Sequence, residues 1–274
     1  GGPSSATDLD REVNLNCLQN LPPIPDDCVR IFFCRHGQTE NNRLRKVQGA
    51  RVDPPINENG KVQATNLGLA LARAKTKPLL FFTSPLLRSK MTAEIASKVV
   101  NEGILPDRPT EVTSLTEVDF GPFADGQPVL LVQEKMAQAY AAWSVGNVDY
   151  RPQGGGSSGR EVLIRACKAI QELVQEANAS NAHCIAAVSH SAFLRVLIGM
   201  IMDEPLLKSA SRKIYNGSIT VVDVSKSLKS ENVAERPKLL GGPLSQKPKD
   251  FALEIPHTHL IQINEFNHLP PSTL

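Results

Sequence analysis

The chain has 274 residues, 41% of them hydrophobic and 21% charged, with 30 Lys and Arg against 28 Asp and Glu. With glycine counted, apolar usage is about half, which excludes disorder over most of the length; a net charge of +2 without long basic faces excludes a nucleic-acid surface. No uninterrupted apolar run reaches the roughly 18 residues of a bilayer span, and the best stretch, residues 192–202, is broken by Arg195.

At ~150 residues per domain the length allows one or two domains. The expected division is a polar, proline-containing N-terminal arm over residues 1–28 and a single α/β domain over 29–274, with an irregular polar loop at about 225–250. Cys17, Cys28, Cys34, Cys167 and Cys184 are odd in number and lack C-x-x-C spacing, so they read as reduced thiols of an intracellular protein. Cytoplasm is the expected compartment; an organelle such as a plastid is the alternative if a targeting peptide preceded Gly1.

The first strong element, Val29 to Cys34 (VRIFFC), has the short apolar run of a buried parallel strand. Asn57 caps a predicted helix to Lys75 with Val62, Leu67, Leu71 and Ala74 at helical spacing. Leu79 to Thr83 is a second buried strand, and Pro85 suits the first turn of a helix running to about Asn101. A strand is expected around Val112, helices over 128–143 and 160–178, a strand from Cys184 to Val188 and a helix over 191–202. A strand follows over Tyr215 to Val224, and one or two more over Leu253 to Ile263. Strands alternating with helices predict a three-layer α/β/α sandwich with a mostly parallel central sheet, which binds ligands beyond the carboxyl ends of its strands. The Gly- and Ser-rich run 146–160 lacks the G-K-[ST] of a phosphate-binding P-loop and reads as a loop.

The positions directly after the buried strands carry the chemistry. Arg35-His36-Gly37 follows the first, Ser84 to Arg88 the second, and Ser189-His190-Ser191 the third. Two Arg and two His thus meet at one sheet edge. Forked guanidiniums match phosphate oxygens, and a neutral imidazole among them can attack phosphorus. His36 is the candidate nucleophile, because Gly37 lets the backbone pass close; its other ring nitrogen needs an acceptor such as a backbone carbonyl. The leaving oxygen needs a carboxylic acid. Glu117, in LTEVDFG, is best placed and is expected to hold its proton beside a bound phosphate, with Asp119 and Asp125 as rivals. The basic run Arg43, Arg45, Lys46 and Arg51 either faces the mouth, attracting a second anionic group, or is a solvated surface.

The motifs FFCRHGQTENN, QGARVDPPINENGKVQA, TSPLLRSKMTA, LTEVDFGPFADG and VSHS, across residues 29–224, resemble the histidine phosphatase superfamily, the phosphoglycerate mutase-like proteins. The resemblance implies that fold and assigns His36 as the phosphorylated nucleophile, Arg35, Arg88 and His190 to the phosphate pocket, and Glu117 as proton donor. Asn42, Thr39, Gln48 and Gly49 fall to phosphate and substrate binding. No metal or cofactor is implied. Bisphosphate-dependent mutases of the family carry a longer segment between the acid and the second His; Glu117 and His190 lie 73 positions apart (190 − 117), as in the open phosphatase type.

The expected activity is therefore that of a metal-independent, histidine acid-type phosphomonoesterase acting on a small phosphorylated metabolite such as a sugar phosphate, sugar bisphosphate or phosphoglycerate. A phosphoglycerate mutase and a non-catalytic module binding phosphorylated ligands or proteins are the alternatives. The expected partner is a small phosphomonoester, not nucleic acid or membrane, with the oligomeric state left open. Two substrate-side loops depart from the family pattern: Phe123-Ala124-Asp125-Gly126 replaces W-E-G or F-E-G, and Gly155-Gly156-Ser157-Ser158 replaces G-G-E-S, whose carboxylate is either missing or displaced to Glu161. His257 and His259 have no evident third metal ligand and read as flanking a strand; His183 and His268 read as structural, and Cys34 as an inert strand residue. Asn216 and Ser218, like Asn178 and Ser180, match a glycosylation triplet, but Asn216 and Ser218 read better as a turn before a strand.

Overall fold

Parallel pairing places the ends of three strands side by side in a computed structural model of the chain, which describes residues 11–103, 108–227, 230–232, 238–240 and 253–274. In chain order the elements are β1 (Cys28–Arg35), α1 (Glu40–Arg43), α2 (Glu58–Ala72), β2 (Leu80–Thr83), α3 (Leu87–Val100), β3 (Thr110–Glu111), α4 (Val129–Ser144), α5 (Gly159–Ala179) and β4 (Cys184–Ser189). Then come α6 (Ser191–Met202), α7 (Leu206–Ala210), β5 (Ile219–Ser225), β6 (Ser230–Asn232), β7 (Glu254–Pro256) and β8 (Thr258–Glu265).

The central sheet has the order β3-β2-β4-β1-β5-β8. β3, β2, β4 and β1 are parallel; β5 runs antiparallel to both β1 and β8. β6, inside the loop expected to be irregular, pairs antiparallel with β7, which lies in the stretch from Leu253 where strands were expected; most of the remaining 225–250 segment lies outside the described residues. The fold is that of the expected α/β/α sandwich.

Alternation along β1 explains the two cores. Val29, Ile31 and Phe33 join the apolar layer under α4, α5 and α6, while Phe32 and Cys34 face the layer under α2 and α3. Leu18, from residues 11–27 ahead of β1, is fully buried in that second layer. In α2, Asn57 caps through its side chain, which accepts from the Gly60 amide at 2.9 Å. Its buried face runs through Gln63, Ala64, Leu67 and Leu71; Val62, expected on that face, is exposed, and the helix ends before Ala74. The strand expected around Val112 is only two residues long, because residues 113–115 turn into a 3-10 helix. Among the described residues no helix is long and apolar enough to cross a membrane.

Candidate active site

Register assembles the site. Arg35 pairs with Ser189 and Thr83 with Val188, so the residues after β1, β2 and β4 leave the sheet at one level. The rings of His36 and His190 consequently lie 5.2 Å apart, both fully buried.

His36 Nδ1 is 2.7 Å from the carbonyl oxygen of Gly37. A carbonyl only accepts, so Nδ1 carries the proton and Nε2 keeps the lone pair, the tautomer an attacking imidazole requires. Burial, with Arg88 and Arg35 adding to it, holds the His36 pKa well below the ordinary histidine value. The ring is therefore neutral and nucleophilic at ordinary pH. Gly37 is needed here for a further reason: a Cβ on it would sit 2.5 Å from the Gly60 carbonyl oxygen in α2.

His190 stands at the N-terminus of α6, and its Nε2 lies 2.6 Å from Ser84 Oγ, which also accepts from the Leu86 amide at 3.3 Å. Nε2 is the one acceptor within reach of the Ser84 hydroxyl among the described residues, so the hydroxyl donates to it and Nδ1 becomes an N–H donor. Nδ1 is buried and has no hydrogen-bond partner among the described residues. Arg88, fully buried, gives its Nη atoms to the carbonyls of Val52 (2.7 Å) and Gly49 (3.0 Å), while Arg35 Nη1 donates to Ile214 O at 2.6 Å. The Nε of each guanidinium is buried without a hydrogen-bond partner among the described residues. Burial, then the nearby Arg195, brings Arg35 down to about 9; burial also lowers Arg88. Crowded, desolvated cations with orphaned N–H donors are complementary to a dianion, which supplies both acceptors and opposite charge.

Glu117 is tied to main-chain amides. Its Oε1 accepts from the amides of Val118 (2.8 Å) and Phe193 (2.8 Å), and its Oε2 from Ala192 (3.2 Å). The carboxylate thereby fills the N-terminus of α6, a position its N-cap residue His190 leaves without a side-chain bond. Arg165 grips the same loop from behind, donating to the carbonyls of Thr116 and Glu117. Glu117 is still close enough for its charge to act on Arg35 and Arg88.

The remaining expected residues form the rim. Thr39 caps α1 in a reciprocal pair with Asn42, and its Oγ1 donates to Gln48 Oε1 at 2.6 Å. Asn42 Oδ1 also accepts from Asn216 Nδ2 at 3.0 Å, and Asn216 reaches the His36 carbonyl as well. The Gly49 amide donates to Asp125 Oδ1 at 2.6 Å and the Arg51 amide to Oδ2 at 2.9 Å. Asp125 is thus the clamp of the loop whose carbonyls hold Arg88, rather than a proton donor; burial raises its pKa.

Two of the four basic-run residues are neutralised locally, Arg43 by Glu40 and Arg51 by Asp119, which weakens the reading of that run as a second anion trap. Glu161 closes a capping box with Ser158 and pairs with Arg151. Sequence reasoning gives Asn216 and Arg165 no part in the site, and gives Ser84 a place after the second strand but no role.

The chain and its fold have known relatives. The family model of the histidine phosphatase superfamily (branch 1) matches residues 31–232, about three quarters of the chain. The chain belongs to that superfamily. A broad-specificity phosphatase of Saccharomyces cerevisiae is 28% identical over 206 residues, 74% of this chain and 83% of that protein. A probable phosphoglycerate mutase, GpmB, of Klebsiella pneumoniae is 27% identical over 208 residues, 73% and 86% of the two chains. Among solved structures, a mycobacterial glucosyl-3-phosphoglycerate phosphatase complexed with VO3 aligns with a TM-score of 0.61 at 20% identity, over 87% of this chain and all of that one. A phosphoglycerate mutase from Bacillus anthracis aligns with a TM-score of 0.61 at 21% identity, over 73% and 89%. These structural likenesses carry the fold; membership of the superfamily carries a phosphatase or mutase activity on phosphorylated substrates.

Proposed function

We propose that this histidine phosphatase hydrolyses a small phosphomonoester through a phosphohistidine at His36, without a catalytic metal. The observation that carries the reading is the pairing of a buried, neutral His36, its Nε2 lone pair free, with three orphaned donors: Arg35 Nε, Arg88 Nε and His190 Nδ1. In the proposed cycle Nε2 attacks phosphorus, the P–O bond to the leaving group breaks, and the three donors hold the equatorial oxygens. Glu117 supplies the proton to the leaving oxygen and later takes one from the attacking water, its amide contacts keeping the carboxyl at the edge of the pocket. Thr39, Asn42, Gln48 and Gly49 shape the rim on the substrate side, and the enzyme is of the histidine acid-type class.

The 73-residue interval between Glu117 and His190 (190 − 117) supports hydrolysis over mutation, since a short segment leaves the phosphohistidine open to water. The mutase reading keeps the support of the GpmB relatives, described as probable phosphoglycerate mutases. Purified protein assayed over sugar phosphates, sugar bisphosphates and phosphoglycerates, with inorganic phosphate and isomer formation read from one reaction, separates the two. Phosphate release exceeding isomer formation for every substrate turned over is expected; isomer formation that depends on a bisphosphate primer overturns hydrolysis as the main activity.

A further inference from the structure

Beside the Gly217 turn, three residues brought from opposite ends of the chain meet: Cys17, Glu265 and His268, with Sγ, a carboxylate oxygen and a ring nitrogen all within 4.8 Å of one another. Glu265 and His268 are buried and Cys17 is half-buried. We propose that these three side chains form a structural site for a zinc-class divalent cation that joins the N-terminal arm to the C-terminal segment.

The donor set suits that class: a soft thiolate, a borderline imidazole and a hard carboxylate are the three ligand types that borderline Zn2+ accepts together, and three protein ligands leave a fourth tetrahedral position for solvent. The imidazole is already aimed. His268 Nε2 lies 2.8 Å from the Gly217 carbonyl, so Nε2 carries the proton and the Nδ1 lone pair faces Cys17 Sγ at 3.9 Å. A carbonyl on the far nitrogen of a histidine is the support that metal-bound histidines characteristically have. Zn–S and Zn–N bonds of about 2.3 and 2.0 Å at a tetrahedral angle place S and N roughly 3.5 Å apart, so closure of a few tenths of an ångström completes this edge. Glu265 is braced from outside, accepting from the Asn267 amide and from Gln262 Nε2.

Binding releases the thiol proton to solvent and forms the S–Zn bond, with no change of oxidation state. Arg11, which donates to the carbonyls of Asn267 and Leu269, opposes the cation in part. The site also touches the catalytic loop. Gly217, whose carbonyl holds His268, donates its amide to the carbonyls of Arg35 and His36.

The test uses the full chain stripped with a chelator, then loaded with Zn2+ or Co2+ and dialysed. One Zn2+ per chain is expected, and the Co2+ adduct should show a thiolate-to-cobalt charge-transfer band with tetrahedral d–d intensity. Cys17→Ser should abolish that band and weaken Zn2+ binding by more than about 100-fold, and Glu265→Gln should weaken it by about tenfold or more. Zn2+ should raise the melting temperature of the unsubstituted chain and leave that of C17S unchanged, a comparison that holds even if the variant starts less stable. No retained metal in the unsubstituted chain, a cobalt adduct without the thiolate band, or stoichiometric binding that survives C17S and depends on the adjacent His257 and His259 each overturns the proposal.

Discussion

Ser84 is the residue through which the account of the pocket can be tested without touching a proposed catalytic group. Its Oγ lies 2.6 Å from His190 Nε2 and is fully buried, so Ser84→Ala removes one small atom and leaves a buried imidazole nitrogen unpaired. Leaving a buried polar atom without its partner costs about 1–3 kcal/mol. If the Ser84 bond holds His190 in the orientation that aims Nδ1–H at a phosphoryl oxygen, that cost falls on the transition state, and kcat/KM drops about 5- to 150-fold. The free ring can also flip its tautomer, which removes the Nδ1 donor. The assay is steady-state hydrolysis of an aryl phosphate, with vanadate inhibition beside it. Because vanadate imitates the five-coordinate phosphorus, its inhibition constant should rise by about the factor by which kcat/KM falls. A folded S84A protein with kcat/KM and vanadate affinity both within twofold of the unsubstituted chain would refute the placement of His190 by Ser84.

Three further outcomes follow from the same geometry. Glu117→Gln should slow hydrolysis of alkyl phosphates far more than of nitrophenyl phosphate, whose leaving group needs no proton; equal loss for both would leave Glu117 as a helix cap alone. Gly37→Ala drives a Cβ to 2.5 Å from the Gly60 carbonyl, so a loss of about 1–3 kcal/mol in denaturant unfolding, together with loss of turnover, is expected. Acid should destabilise the fold: His36 and His190 both have folded pKa values below the ordinary histidine value, so the unfolded chain binds more protons as pH falls through about 6.5. Stability is then full above that pH and declines below it by up to about 1.4 kcal/mol per pH unit for each ring, measurable as a slope in urea midpoints that shrinks in H190Q.

Much of the frame was legible because buried parallel strands are short, apolar and bounded, and because the chemistry sits on the residues after them. VRIFFC, LLFFT and CIAAV announced β1, β2 and β4 to within two residues, and what followed them met as expected at one edge. β3 was harder, being two exposed residues that turn at once into a 3-10 helix. α1 and α7, of four and five residues, are too short for a helical period to register. The supports of the site were invisible for a different reason. Ser84 to His190, Asn216 to Asn42 and Glu117 to the amides of α6 are side-chain bonds across long separations, which leave no periodicity in the chain. Asp125 read as a possible acid because composition shows a carboxylate but not the Gly49 and Arg51 amides that occupy it.

The central claim is covalent transfer of phosphate to His36, and the direct measurement is isolation of the intermediate. Enzyme quenched during turnover of a 32P-labelled phosphomonoester should carry label that is stable in base and lost in acid, recovered on the peptide containing His36 and absent from His36→Ala. Label on another residue, or undiminished turnover in H36A, would contradict the account.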